Sequence, residues 1–304
     1  MSSPSGPESA APHRCGHVAI VGRPNVGKST LLNRLIGAKV SITSPRPQTT
    51  RHRITGILTR PGYQIVFVDT PGYQTEFRSP LNRMMNRAVS ASVEEVDAVL
   101  WMVEALRLDA RDREVERLLP RGVPVVLAIN KTDRVKDKQQ LLPFIAECSA
   151  LRDFHAIVPV SAKLGAQVEE LVEVLVPLLP EGPRLYEEDE ITTLSERFLA
   201  AELLREKLFL RLGEELPYAT TVEIEQFRQE GALRRIQATI LVDKETQKPI
   251  VIGRGGARLK AIASEARRDM EALFGGKVYL EVWVKVRPGW AENEALLQRL
   301  GHGG

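Results

Sequence analysis

Short, nearly continuous apolar runs mark the first half of the chain, at positions 17–21, 54–58, 63–68, 98–103, 123–129 and 157–160. Runs of this length that do not alternate with polar residues suit strands covered on both faces. Helical patterns lie between most of them. The expected fold class is therefore α/β, a mostly parallel sheet with helices on both faces. Only a short polar segment containing Arg60-Pro61-Gly62 separates the second and third runs, which predicts a hairpin and one antiparallel edge strand. A helical stretch at 167–179 closes the unit, and Pro180-Glu181-Gly182-Pro183 breaks it. The acidic run Glu187-Glu188-Asp189-Glu190 continues the boundary as solvated linker. A different order follows: a helix over 194–212, alternating segments at 219–226 and 233–242, two helical segments that meet at 253–256, and a strand over 278–286. The chain is thus expected to divide into a tail (1–15), an α/β domain (16–180), a linker (181–193), an α+β domain (194–290) and a C-terminal tail (291–304).

The ends of the strand-like runs carry the chemistry. Gly22-Arg23-Pro24-Asn25-Val26-Gly27-Lys28-Ser29, with Thr30 behind it, fills the pattern G-x-x-x-x-G-K-[ST] between a strand and a helix. A helix N-terminus offers unpaired N–H donors and partial positive charge, which suits a phosphate chain. Lys28 can reach the outer phosphates, and the Ser29 hydroxyl can ligate Mg²⁺. Asp69-Thr70-Pro71-Gly72 closes the third run; Asp69 can hold the Mg²⁺ shell and the Gly72 N–H can bond the γ-phosphate. In the polar loop Gln48-Thr49-Thr50-Arg51, Thr50 is the chosen second hydroxyl ligand, with Thr49 a close competitor. Such loops act as switches when only the γ-phosphate orders them.

Asn130-Lys131-Thr132-Asp133 ends the fifth run and selects the base. A carboxylate at Asp133 can accept from both N1–H and the exocyclic amine of guanine, whereas adenine would leave it unpaired. That mismatch gives on the order of a thousandfold discrimination. The Lys131 stem can lie over the base, and a backbone N–H of Ser161-Ala162-Lys163 can meet the guanine oxygen. The expected ligands are GTP and GDP with Mg²⁺.

In the second domain, Gly253-Arg254-Gly255-Gly256 forms a G-x-x-G loop. Such a loop lets a nucleic-acid backbone approach closely, beside a groove for about four unpaired nucleotides. Between Lys244 and Arg268 there are seven basic residues against two acidic, although residues 182–304 as a whole carry 19 basic and 20 acidic. Positive charge is focused at the loop, where Lys248, Arg254, Arg258 and Lys260 are the expected phosphate contacts. Trp283 and Trp290 are expected to pack in the core and at the strand end, with a base-stacking platform as the alternative for either.

Residues 17–180 resemble a translation-factor-type P-loop GTPase domain, and the order helix, strand, strand, helix, helix, strand is that of a prokaryotic KH domain. Over roughly 16–290 the chain is similar to the Era family of bacterial ribosome-assembly GTPases. The resemblance implies GTP hydrolysis and a partner, a single-stranded segment of small-subunit ribosomal RNA near its 3′ end, during 30S subunit assembly. It also implies potassium-assisted turnover, and it allows peripheral membrane association. Sequence physics alone supports a single-stranded RNA segment.

Composition excludes several classes. With 43% hydrophobic and 27% charged residues the chain is ordinary globular protein, and no apolar run approaches the roughly 20 residues that cross a bilayer. Residues 1–14 lack the apolar core of a signal peptide. Cys15 and Cys148 read as reduced thiols of a cytoplasmic protein, and the five histidines lack metal spacing. A monomer is expected.

Two positions bear on mechanism. Tyr73 stands where Ras-like enzymes carry the water-orienting glutamine, so slow intrinsic hydrolysis is expected, with catalysis from Mg²⁺, Lys28, Thr50 and loop N–H groups such as that of Gly72. The Asn25 side-chain oxygen could hold K⁺ beside the phosphates, with a plain turn role as the alternative. No arginine finger can be identified from sequence; Arg46, Arg51 and Arg53 lie nearby, and contact with RNA or solvent suits them equally well. Two other classes stay open: an enzyme coupled to RNA modification, for which no second catalytic constellation is found, and a binding protein in which GTP is structural.

Overall fold

The computed structural model describes residues 12–73, 80–213, 215–293 and 297. Six strands form the first sheet: β1 (Arg14–Val21), β2 (Ile54–Arg60), β3 (Tyr63–Asp69), β4 (Ala98–Glu104), β5 (Val125–Asn130) and β6 (Ala156–Pro159). Their order is β2-β3-β1-β4-β5-β6, parallel throughout except for the β2–β3 hairpin. The unbroken apolar runs are explained by burial on two sides. Val18 and Ile20 of β1, with Leu100 and Met102 of β4, meet α1 (Lys28–Ile36) and α5 (Val168–Leu175). Ala19, Val21, Val99 and Trp101 face the opposite way, toward α2 (Pro80–Glu94), α3 (Ala110–Glu116) and α4 (Leu141–Ser149). The motif-bearing loops consequently leave the carboxyl edge of the sheet, where ligands of open α/β sheets bind.

The N-terminal tail expectation needs trimming. Residues 1–11 lie outside the described residues, but Arg14 and Cys15 already belong to β1, since Arg14 N donates to Gly62 O and Cys15 N to Pro180 O, each at 3.0 Å. The stretch after Pro180 is also tethered rather than simply solvated. Gln64 Oε1 accepts from the amides of Leu185 and Tyr186, and Ile57 N donates to Ile191 O. Its acidic side chains Glu187, Glu188 and Asp189 remain exposed.

The second unit consists of α6 (Glu196–Arg211), β7 (Thr220–Glu230), β8 (Leu233–Val242), α7 (Lys248–Ile252), α8 (Ala257–Phe274) and β9 (Lys277–Val286). Its sheet runs β7-β8-β9, antiparallel then parallel. Strand β7 extends past 226 because pairing with β8 resumes after a register shift between Ile224 and Gln226. One face of the sheet is sealed by Leu203, Leu204 and Leu208 of α6 and Ile262, Ala266 and Met270 of α8.

The two tryptophans divide. Trp290 is 1% exposed and packs with Leu81 and Met85 of α2, joining the two units. Trp283 does not pack in the core; it is 43% exposed on β9, because the alternation there turns Val282 and Val284 inward instead. Among the described residues no helix is long and apolar enough to cross a membrane.

Candidate functional site

The loop between β1 and α1 is built for close approach. Gly27 caps α1 with φ 106°, and a Cβ there would lie 2.3 Å from Asn130 Nδ2. That amide donates to Val26 O at 2.7 Å, while Asn130 Oδ1 accepts from Ala162 N at 3.0 Å. One buried side chain thus fastens the phosphate loop to the base-side loop 161–163. Lys28 Nζ donates to the carbonyls of Gly22 (3.0 Å) and Arg23 (3.1 Å). Burial, reinforced by the Arg23 charge and opposed by Asp69, lowers its pKa to about 8. Asn25 stands in the left-handed region, and its Nδ2 donates to Pro45 O at 3.1 Å. A cation-ligand role would fall to its oxygen.

Three segments converge on the expected metal ligands. Ser29 Oγ lies 2.8 Å from Thr50 Oγ1 and donates to Asp69 Oδ2 at 2.7 Å. Ser41 Oγ donates to the same Asp69 oxygen at 3.0 Å. The other oxygen, Oδ1, is buried without a hydrogen-bond partner. Burial raises the Asp69 pKa against the pull of Lys28 and the two serines. A desolvated carboxylate with an unused oxygen beside two hydroxyls fits a hard cation with oxygen ligands. Thr49 is placed differently: its hydroxyl is 2.6 Å from Ser44 Oγ and donates to Arg46 O. Of the two competing threonines, only Thr50 reaches Ser29.

The cleft around these groups is lined by Pro24, Asn25, Ser29, Thr30, Thr43 and Gly72. Thr70, by contrast, buries its hydroxyl against Ile20 O at 2.9 Å, and Pro71 lies between it and Gly72. Arg23 turns its guanidinium away from the cleft, to Glu104 Oε2 (3.0 Å) and Asp112 Oδ2 (3.2 Å). Tyr73 packs against the core face that holds Trp101.

On the base side, Asp133 Oδ1 accepts from Ser161 Oγ at 2.6 Å. Lys131 has φ 66°, and its Nζ is 3.0 Å from Glu104 Oε2. Although burial alone would raise it, Lys131 and Arg23 hold the Glu104 carboxyl below the ordinary range. Lys163 is exposed, and its carbonyl accepts from Arg34. Ser41, Glu104 and Asp112 were not legible as site residues. Glu104 had one available signal, its place at the carboxyl end of β4 on the ligand edge.

Arg51, for which a finger role and contact with RNA or solvent are equally open from sequence, is turned into the protein instead. It is 2% exposed and donates to the carbonyls of Thr220 (3.2 Å), Pro217 (3.4 Å) and Tyr218 (3.4 Å), with its guanidinium over the Phe209 and Trp290 rings. Apolar surroundings and the neighbouring Arg205 charge lower its pKa to about 9.

The glycine loop joins α7 to α8. Gly253 is a packing requirement, since its φ is 74° and a Cβ would lie 2.7 Å from Arg258 Cβ. At Gly255 and Gly256 a Cβ would meet nothing within 4 Å, so the loop's outer side is open to a backbone. Arg258 donates to Ile250 O and braces the loop. Among the described residues, the charged groups of Lys248, Arg254 and Lys260 carry no hydrogen bond or ion pair, whereas Arg267 is paired with Glu271. Unpaired positive charge is therefore available to phosphates at the loop and its flanks.

Known proteins resemble this chain in sequence and in fold. A profile described as a 50S ribosome-binding GTPase matches residues 17–131, and one described as a KH domain matches 215–291. The chain is 58% identical over 290 residues to a GTPase Era of Chromobacterium violaceum, covering 95% of this chain and 98% of the relative. It is 56% identical over 294 residues to that of Nitrosomonas eutropha, covering 97% and 99%. Among solved structures, an Era with MgGDPNP and nucleotides 1506–1542 of 16S ribosomal RNA superimposes with TM-score 0.92 at 41% identity, covering 96% of this chain and 100% of that one. An Aquifex aeolicus Era bound to GDP and AlF₄⁻ agrees equally well, with TM-score 0.92 at 41% identity and the same coverage.

Proposed function

This chain belongs to the Era family of GTPases, and we propose that it is a switch whose GTP cycle governs its hold on the 3′-end region of small-subunit ribosomal RNA during 30S assembly. The observation that carries the switch is the meeting of Ser29, Thr50 and Asp69, drawn from three separate segments, at one buried carboxylate with an unused oxygen. Ser29, Thr50 and Asp69 would hold Mg²⁺, which when bound neutralises charge on the β- and γ-phosphates. Lys28 and the backbone N–H groups of 25–29 then stabilise the charge that builds on the phosphoryl oxygens as water displaces the β-phosphate oxygen. Asp133 reads guanine, with Ser161 fixing one carboxylate oxygen. Lys131, braced by Glu104, covers the base.

With Tyr73 half-buried against the core face and lacking a carboxamide, no glutamine-like group at that position orients the attacking water, and intrinsic turnover is slow. Asn25 offers its oxygen to K⁺ beside the phosphates. Lys248, Arg254 and Lys260 hold the RNA backbone where Gly255 and Gly256 leave room for it. The test is the affinity for a 3′-end oligonucleotide of small-subunit ribosomal RNA, measured with GDP and with a non-hydrolysable GTP analogue. A switch requires the two values to differ; equal affinities would leave the nucleotide structural.

A further inference from the structure

The segment 41–52, which carries Thr50, forms no helix or strand. Its backbone groups must find partners elsewhere, and two of them, with its side chains Arg51 and His52, find partners in the RNA-binding half. Glu206 Oε1 accepts from Thr43 N at 2.9 Å. Arg205 Nη2 donates to Thr49 O at 2.5 Å, the carbonyl of the peptide that leads into Thr50. Glu202 lies 3.9 Å from His52 Nε2, and Arg51 reaches three carbonyls just before and at the start of β7. From its own domain the segment gains Asn33 on both backbone groups of Ser41, Ser41 Oγ to Asp69, Asn25 to Pro45 O, Gln48 to Asn82 Oδ1, and the Ser29–Thr50 contact.

These foreign partners are unusual for an interdomain surface. Glu202, Arg205 and Glu206 are 6%, 2% and 1% exposed. Arg205 is neutralised by a two-point pair with Glu202, at 2.7 and 2.6 Å, and its Nη1 has no partner. A buried ion pair is a poor device for stability, since apolar residues of similar size would serve as well at less desolvation. What it supplies is a rigid, oriented donor. With both carboxylate oxygens of Glu202 engaged, the guanidinium is left with one direction for Nη2, toward Thr49 O.

We infer that Arg205 and Glu206, on the first helix of the RNA-binding half, are positioning residues of the GTPase site, holding segment 41–52 so that Thr50 completes the Mg²⁺ shell. The inference rests on the assignment of Thr50 as a metal ligand. It makes the catalytic site a composite of both halves. The same helix packs on α8, which begins at the glycine loop, and Asp269 of α8 takes ion pairs from Lys39 (2.7 Å) of the GTPase half and Lys207 (2.5 Å) of α6. The grip on Thr49 therefore sits one helix away from the RNA contact.

The test compares nucleotide affinities in the full-length chain. In Arg205→Lys the ammonium can still answer Glu202, but it lacks the planar fork that serves Thr49 O as well. With Mg²⁺ present, the dissociation constant of a non-hydrolysable GTP analogue should rise about tenfold, the value of one hydrogen bond to a charged group, while that of GDP should stay within twofold. Thr50→Ala should show the same selective loss, and Arg205→Lys should add nothing in a Thr50→Ala background. The pair Glu202→Met with Arg205→Met keeps the interface filled without a buried charge, and it should reproduce the loss if Arg205→Lys folds poorly. RNA affinity of each variant checks that the second half is intact. Equal weakening of GDP and analogue, or additive losses with Thr50→Ala, would overturn the inference and leave the site assignment standing. No loss from Thr50→Ala alone would instead remove Thr50 from the metal shell, and the positioning role with it.

Discussion

Replacing Asn130 by Ala tests how the nucleotide cleft is held together. Asn130 is 2% exposed and makes two buried hydrogen bonds in opposite directions, to Val26 O at 2.7 Å and from Ala162 N at 3.0 Å. Alanine removes both and leaves a carbonyl and an amide facing each other across a gap. An orphaned buried group costs about 1–3 kcal/mol, so the pair amounts to about 2–4 kcal/mol once partial relaxation is allowed. The penalty should fall on ligand binding more than on global unfolding. Val26 and Ala162 sit in loops, while the strands behind them are fixed by the sheet core around Leu100 and Ala128. Since 1.4 kcal/mol is a factor of ten, GDP affinity should drop by roughly 30- to 1000-fold. Equilibrium titration with a fluorescent guanine nucleotide measures the loss, and thermal unfolding without nucleotide measures the stability change. A loss under threefold, or a large fall in Tm with affinity intact, would refute the idea that this amide couples the two loops.

Asp133→Asn should shift preference from GTP toward xanthosine triphosphate, because an amide offers a donor where xanthine carries an oxygen; competition titration decides, and retained GTP selectivity would take Asp133 out of the base pocket. Replacing Arg254 and Gly255 by Asp should lower RNA affinity about tenfold or more and flatten its log–log salt slope by somewhat under one unit per lost phosphate contact, with nucleotide binding unchanged. If Asn25 ligates K⁺, GTP turnover should be faster in K⁺ than in Na⁺ at equal ionic strength, and Asn25→Ala should abolish the difference. The Asp109 carboxyl caps α3 and is held at about 2, chiefly by Arg111. As a depressed carboxylate it contributes stability above the ordinary value near 4 and loses it as pH falls toward 2, so Asp109→Asn, which keeps a capping oxygen but loses the charge facing Arg111, should cost under about 1 kcal/mol at neutral pH and make acid unfolding less steep.

Local requirements wrote themselves into the chain directly. Strands buried on both faces must be apolar at every position, so β1, β4 and β5 could be recognised without knowing what covers them. The nucleotide loops join a strand end to the next element, so Gly22 to Ser29, Asp69 to Gly72 and Asn130 to Asp133 are contiguous, and their spacing carries the chemistry. The glycine loop is legible for the same reason, as one short turn between two helices with basic residues around it.

Contacts between distant segments left no such trace. Thr49 and Thr50 are adjacent and chemically identical, and only the folding of 41–52 across Ser29 turned one hydroxyl to the site and the other toward Ser44 and Arg46. Glu104 became a brace because β4 ends between the phosphate loop and Lys131. Trp290 and Arg51 looked like a strand-end side chain and a surface charge, yet they meet across the two units, with the arginine guanidinium over the indole. Glu202, Arg205 and Glu206 read as ordinary polar positions of an amphipathic helix. The segment packed against that helix lies some 150 residues earlier, and the fold alone brings its unpaired peptide groups to those charges.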